Sequence, residues 1–170
     1  MKNRRYYPYM LTILIIALDQ ISKAIIVHMI DENSIGARCL SDFLWIVHVR
    51  NNAVAFSVGT GLALPVKYLL FVVLPIAFMA FIAYCIASRR FDSEITQFER
   101  WCLAGILGGG LGNIIDRLFR NLRVVDWIST ATYGFLGMDR WPTYNIAGAS
   151  VVISVILLLL AFLAERKKDE

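Results

Sequence analysis

Four runs of this 170-residue chain, about 7–30, 65–88, 98–119 and 143–164, each approach the roughly 20 apolar residues needed to cross a bilayer core. In hydrocarbon a backbone must satisfy its own hydrogen bonds, so runs of this length become helices. Hydrophobic residues make up 58% of the chain, against roughly 45–50% in soluble domains. Mean hydropathy is +0.63. The expected fold class is therefore all-α integral membrane. One domain over residues 1–170 carries four transmembrane helices, with outward segments at 31–64 and 120–142.

The net charge of +4 does not indicate nucleic acid, because the basic residues do not form one patch. They sit at span ends: Lys2, Arg4 and Arg5; Arg89, Arg90 and Arg100; Arg166, Lys167 and Lys168. The positive-inside rule assigns these groups, and with them both termini, to the cytoplasmic side. Arg38, Arg50, Arg120, Arg123 and Arg140 oppose that bias without reversing it. Cys39, Cys85 and Cys102 lack CxxC spacing, and His28 and His48 lack ligand spacing. No metal site and no cofactor are expected.

Polar residues inside such spans need a reason. Asp19 and Lys23 are four residues apart, so they share a helix face and can pair, either as a packing element or as the shell of a site. The second span contains Pro75, expected to kink it or to be accommodated by its neighbours, and no Asp, Glu, Lys, Arg or His between Lys67 and Arg89; it reads as scaffold. The third span holds Gly105, Gly108, Gly109 and Gly112, paired at the small-xxx-small spacing that lets helices approach closely in lipid. Asn113, Asp116 and Arg117 follow on one face, as a cluster or as a helix-end anchor.

Between spans, Phe43–Val49 is rich in aromatic and β-branched residues and reads as a strand; Asn51 and Asn52 after it read as a turn. Asp126 stands in the second outward segment, ahead of a Gly- and aromatic-containing loop from Thr130 to Trp141. Pro142 and Thr143 read as the start of the fourth span, whose first turns include Asn145 and Gly148. Gly148 lies beside Ala147, Ala149 and Ser150, a small-residue face suited to close packing.

Taken in order, these blocks resemble those of the lipoprotein signal peptidases (signal peptidase II), membrane aspartyl proteases that process bacterial prolipoproteins. The resemblance is carried by Asp19-Gln20-x-Ser22-Lys23, by Asn51 followed by Phe56, and by Gly108-Gly109-x-x-Gly112-Asn113-x-x-Asp116-Arg117. Val124-x-Asp126 and Tyr144-Asn145-x-Ala147 complete it. It implies a bacterial inner-membrane, multi-pass protein whose active site faces the periplasm. The strand-containing element between helices 1 and 2 would then be periplasmic. The implied substrate is a diacylglyceryl-modified prolipoprotein drawn from membrane lipid, globomycin is an implied inhibitor, and a monomer is expected.

The resemblance makes Asp126 one catalytic aspartate and places the second at position 148, where this chain has Gly148. Smaller departures are Ala53 for a glycine, and Trp127 and Tyr144 for phenylalanines. Asn51, Asn113, Arg117 and Asn145 match the supporting shell; Asp19, Lys23 and Asp116 match structural and substrate-contacting positions. An aspartyl dyad works because two close carboxylates share one proton, so that one acts as base and the other as acid. Removing a positioned acid–base group costs about 10²–10⁴-fold in rate. The expectation is a chain that binds substrate and cleaves it poorly, with Asp139 the most plausible substitute carboxylate. The alternative is a non-enzymatic membrane binding or transport protein using the same polar cluster.

Overall fold

The computed structural model describes residues 4–52 and 61–166, with side chains through Ala164. Four helices are long and apolar enough to cross a membrane. Helix α1 (Pro8–Met29) starts on a proline, whose missing N–H costs nothing at a helix start. Helix α2 spans Leu64–Ala87. Helix α3 (Gln97–Phe119) opens on a capping box, with the Thr96 hydroxyl accepting from the Glu99 N–H and the Glu99 carboxylate accepting from the Thr96 N–H. Helix α4 is Ile146–Arg166.

The kink expected at Pro75 takes a specific form. Residues Leu69–Val73 form one π turn just ahead of it, and the Leu74 N–H reaches back five residues to Leu69. The wider turn absorbs the proline without breaking the helix.

Helix α3 is central, packing against α1, α2 and α4. Its glycines explain how closely. A Cβ at Gly112 would stand 2.8 Å from an Asp19 carboxylate oxygen and 3.1 Å from the Ala147 Cβ. At Gly109 it would collide with the Ala147 carbonyl. The bundle is tied by the Thr12 hydroxyl donating to Ala104 O at 2.9 Å and the Ser150 hydroxyl donating to Gly105 O at 2.9 Å. On the side away from α2, α4 leaves Ile153, Leu160 and Leu163 more than half exposed, an apolar outer face that suits lipid.

A three-stranded antiparallel sheet of order β1-β2-β3 caps one end: β1 (Ser34–Cys39), β2 (Leu44–Asn51) and β3 (Val124–Thr130). The strand expected at Phe43–Val49 is thus β2. Asn51 is its last residue, paired with Val124, and not the turn expected from its type. Ala53, Phe56 and the rest of 53–60 lie outside the described residues. Helix α3 ends where Asn121 and Leu122 adopt left-handed φ of 55° and 61°, reversing the chain so that β3 runs back beneath the helix end. Helix α4 starts at Ile146, three residues later than expected. Tyr144 is held instead as a strand stub on β3: its N–H donates to Ile128 O at 3.0 Å, and its carbonyl accepts from Trp127 and Ile128.

Candidate active site at the sheet-capped end of the bundle

Two layers of polar side chains meet where the sheet closes the bundle. The inner layer is ionic. Asp19, Lys23 and Asp116 are each 0% exposed. Lys23 Nζ lies 2.7 Å from Asp19 Oδ2 and 3.0 Å from Asp116 Oδ2, and donates to Asn113 Oδ1 at 3.0 Å, which uses all three of its protons. Asp19 Oδ1 accepts the Ala147 N–H in the first turn of α4, at 2.9 Å. Asp116 Oδ2 accepts the Val125 N–H at 2.9 Å and its Oδ1 faces Arg120 at 3.1 Å. Gln20 Nε2 bridges Asp19, Asp116 and the Gly112 carbonyl.

Buried ions are tolerable only when paired and hydrogen-bonded, and here both conditions hold. The cluster joins α1, α3, β3 and α4 at one point. Asp19 and Lys23 therefore form a buried ion pair, the packing reading of their spacing. Arg120 and Gln20 were not singled out from sequence. Arg120 was legible, since it follows Asp116 by four residues; for Gln20 the signal was its place in the Asp19-Gln20-x-Ser22-Lys23 block.

The outer layer is built on Asp126, 5% exposed. Strand β3 presents it opposite Val49, which brings Asn51 within reach: Asn51 Nδ2 donates to Asp126 Oδ2 at 3.2 Å. Asn145 Nδ2 donates to Asp126 Oδ1 at 2.7 Å and to Asn113 Oδ1 at 3.1 Å. Asn145 Oδ1 in turn accepts the Gly148 N–H at 2.7 Å, the N-cap bond that starts α4. One side chain therefore both opens the helix and holds the carboxylate. Burial pushes the Asp126 carboxyl up to about 6, outweighing the amide donors and the Lys23 charge, which favour its ionised form.

Among the described residues, a Cβ at Gly148 would meet only Asn145 Oδ1, at 3.4 Å, an ordinary contact. The small-residue face expected around it serves Ala147, which packs against Gly112 and Gly109, but not Gly148. Arg117 stands half-buried with its guanidinium 5.8 Å from the Phe71 ring centre, and its charge acts on Asp126 and Asp116. Asp139 is exposed, and its carbonyl accepts the Thr132 N–H at 2.9 Å, two residues past the end of β3.

The site thus holds one perturbed carboxyl, two amides aimed at it, and open space at position 148. The model of the family described as signal peptidase (SPase) II matches residues 11–164. The lipoprotein signal peptidase of Treponema denticola is 37% identical over 176 residues, covering 99% of each chain. That of Borrelia hermsii is 38% identical over 99% of this chain and 96% of the relative. Among solved structures, a bacterial membrane enzyme determined by the in meso method at 2.3 Å superposes with a TM-score of 0.81 at 27% identity, over 96% of this chain and 91% of that one. A second, at 1.9 Å, gives 0.74 at 28% identity over 92% of each.

Proposed function

The chain belongs to the signal peptidase II family of bacterial membrane proteases, and we propose that it binds a diacylglyceryl-modified prolipoprotein at Asp126 but cleaves it poorly, for want of a second carboxylate at Gly148. Asp126 carries the reading: it is the buried carboxyl in the cluster that is not consumed by an ion pair, and its raised pKa suits proton exchange near neutral pH. In a dyad the base takes a proton from water while the acid hydrogen-bonds the scissile carbonyl. Asp126, held by Asn51 and Asn145, is placed to do the first. The second needs a carboxyl at position 148, where the space is available and the side chain is missing.

The other carboxylates of the cluster do not substitute. Asp19 and Asp116 are locked on Lys23 with no exposed surface, so neither reaches a water or a substrate. Asn113 and Arg117 frame the cleft, and Asp19, Lys23 and Asp116 fix its geometry. The basic span ends support a topology with both termini in the cytoplasm and the sheet-capped end at the periplasmic face of the inner membrane, where lipid-anchored substrate and water meet. We take the protein as one domain, acting as a monomer, with globomycin as a ligand that does not need the dyad. The transport alternative is not favoured, because the ionic network closes on itself at one end and α2 adds nothing to a path.

The test separates binding from turnover. A fluorescent diacylated prolipoprotein peptide is titrated against the protein in detergent micelles and against Asp126→Asn. Saturable binding without cleavage supports the reading; no binding at all overturns it.

A further inference from the structure

A second polar site lies at the opposite end of the bundle. A cavity of about 240 Å³ opens between the start of α1, the α2–α3 connection and the start of α3; its polar lining includes Arg4, Arg5, Arg100, Asp92, Thr96 and Gln97. Three arginines there face a single carboxylate. Arg100 is 3% exposed and spends one nitrogen on the Cys85 and Ile86 carbonyls at the end of α2, and another on Asp92 Oδ1 at 2.9 Å. Arg5, whose side chain is 12% exposed, reaches the other Asp92 oxygen through Nη2 at 3.4 Å. Its Nη1 is buried and has no hydrogen-bond partner. A buried guanidinium N–H without an acceptor is costly, and among the described residues the lining offers no second anion to meet it.

We propose that this cavity binds the phosphate of an anionic lipid headgroup, with Arg5 Nη1 and the exposed Arg4 as its donors. A phosphate oxygen supplies the acceptor that Arg5 lacks, and its charge offsets the arginine excess. Position argues for lipid over free phosphate. The cavity sits where two membrane-spanning helices begin, and Tyr6, Tyr7 and Trp101, within two residues of its lining arginines in the chain, are 52%, 55% and 37% exposed. Such amphipathic aromatics mark the headgroup level of a bilayer, and basic pockets between helices at that level recognise lipid phosphate.

The probes are phosphatidylglycerol, phosphatidylcholine and inorganic phosphate, with occupancy read by native mass spectrometry of the full chain released from micelles. Each arginine near a charged headgroup contributes about fivefold in affinity, so Arg4→Gln/Arg5→Gln should lower phosphatidylglycerol retention roughly 25-fold while phosphatidylcholine retention stays low in both proteins. Equal retention by wild type and double variant overturns the proposal. Binding of inorganic phosphate without preference for phosphatidylglycerol overturns the lipid assignment. If the double variant does not fold, wild type is labelled with a headgroup-photoactivatable phosphatidylglycerol. Cross-links confined to residues 4–7 and 92–101 support the site; cross-links elsewhere contradict it.

Discussion

Asn145 and Asp126 are joined by a 2.7 Å hydrogen bond from the asparagine Nδ2, while the oxygen of the same amide accepts the Gly148 N–H. A helix cap and a carboxylate support are thus one group. Any rotation of Asn145 that releases Asp126 also uncaps α4, so the positions of Asp126 and of residue 148 are coupled through a single rigid amide.

Asn145→Ala should therefore act twice. Loss of the cap costs about 0.5–2 kcal/mol, visible as a lower unfolding midpoint in micelles. Loss of a donor to the ionised Asp126 should raise its pKa further above about 6, followed by carboxyl-carbon NMR. A stability loss with the Asp126 titration unmoved would break the coupling.

Asp126 should leave a pH signature of defined sign. Its folded pKa is raised from 3.8 to about 6, so folding takes up a proton between those values. Stability then falls by at most about 3 kcal/mol as pH rises through that window, and this group adds no further pH dependence on either side. Asp126→Asn should remove that slope in unfolding midpoints measured from pH 4 to 7. A stability that rises more steeply in wild type than in the variant would contradict the assignment.

Lys23→Met should be severely destabilising, because it leaves Asp19 buried without a cation and Asp116 with only Arg120 on its other oxygen. Breaking such a pair costs about 3–5 kcal/mol. Adding Asp19→Asn and Asp116→Asn to the same chain should recover much of the loss, measured by thermal unfolding in micelles.

The two kinds of glycine should separate cleanly. Gly109→Ala drives a methyl into the Ala147 backbone and should cost about 1–3 kcal/mol. Gly148→Ala meets no obstruction and should be neutral or stabilising by up to about 1 kcal/mol in helix propensity. Comparable losses in both would mean that Gly148 is kept for packing.

The four helices were legible because apolar runs in lipid have one solution, and the ion pair because Asp19 and Lys23 share a face. The sheet was only half legible. Strand β3 begins Val124-Val125-Asp126, buried on both faces, so it lacks the alternation that marks a strand. Asn51 looked like a turn because its role depends on β2 pairing with β3, a contact between residues 75 apart in the chain. The start of α4 was misplaced because Pro142 signals a helix locally, whereas the pairing of Tyr144 with Ile128 is tertiary. That, among the described residues, only Asn145 would touch a side chain at position 148 was visible only once its neighbours were placed.

As proposed above, this site holds and positions substrate yet lacks half of its acid–base pair. The direct measurement is cleavage of a diacylated prolipoprotein by this chain and by Gly148→Asp, under the same micelle conditions. The account predicts that Gly148→Asp is faster by about 10²–10⁴-fold, with substrate affinity little changed. Equal and robust turnover by both proteins would contradict it.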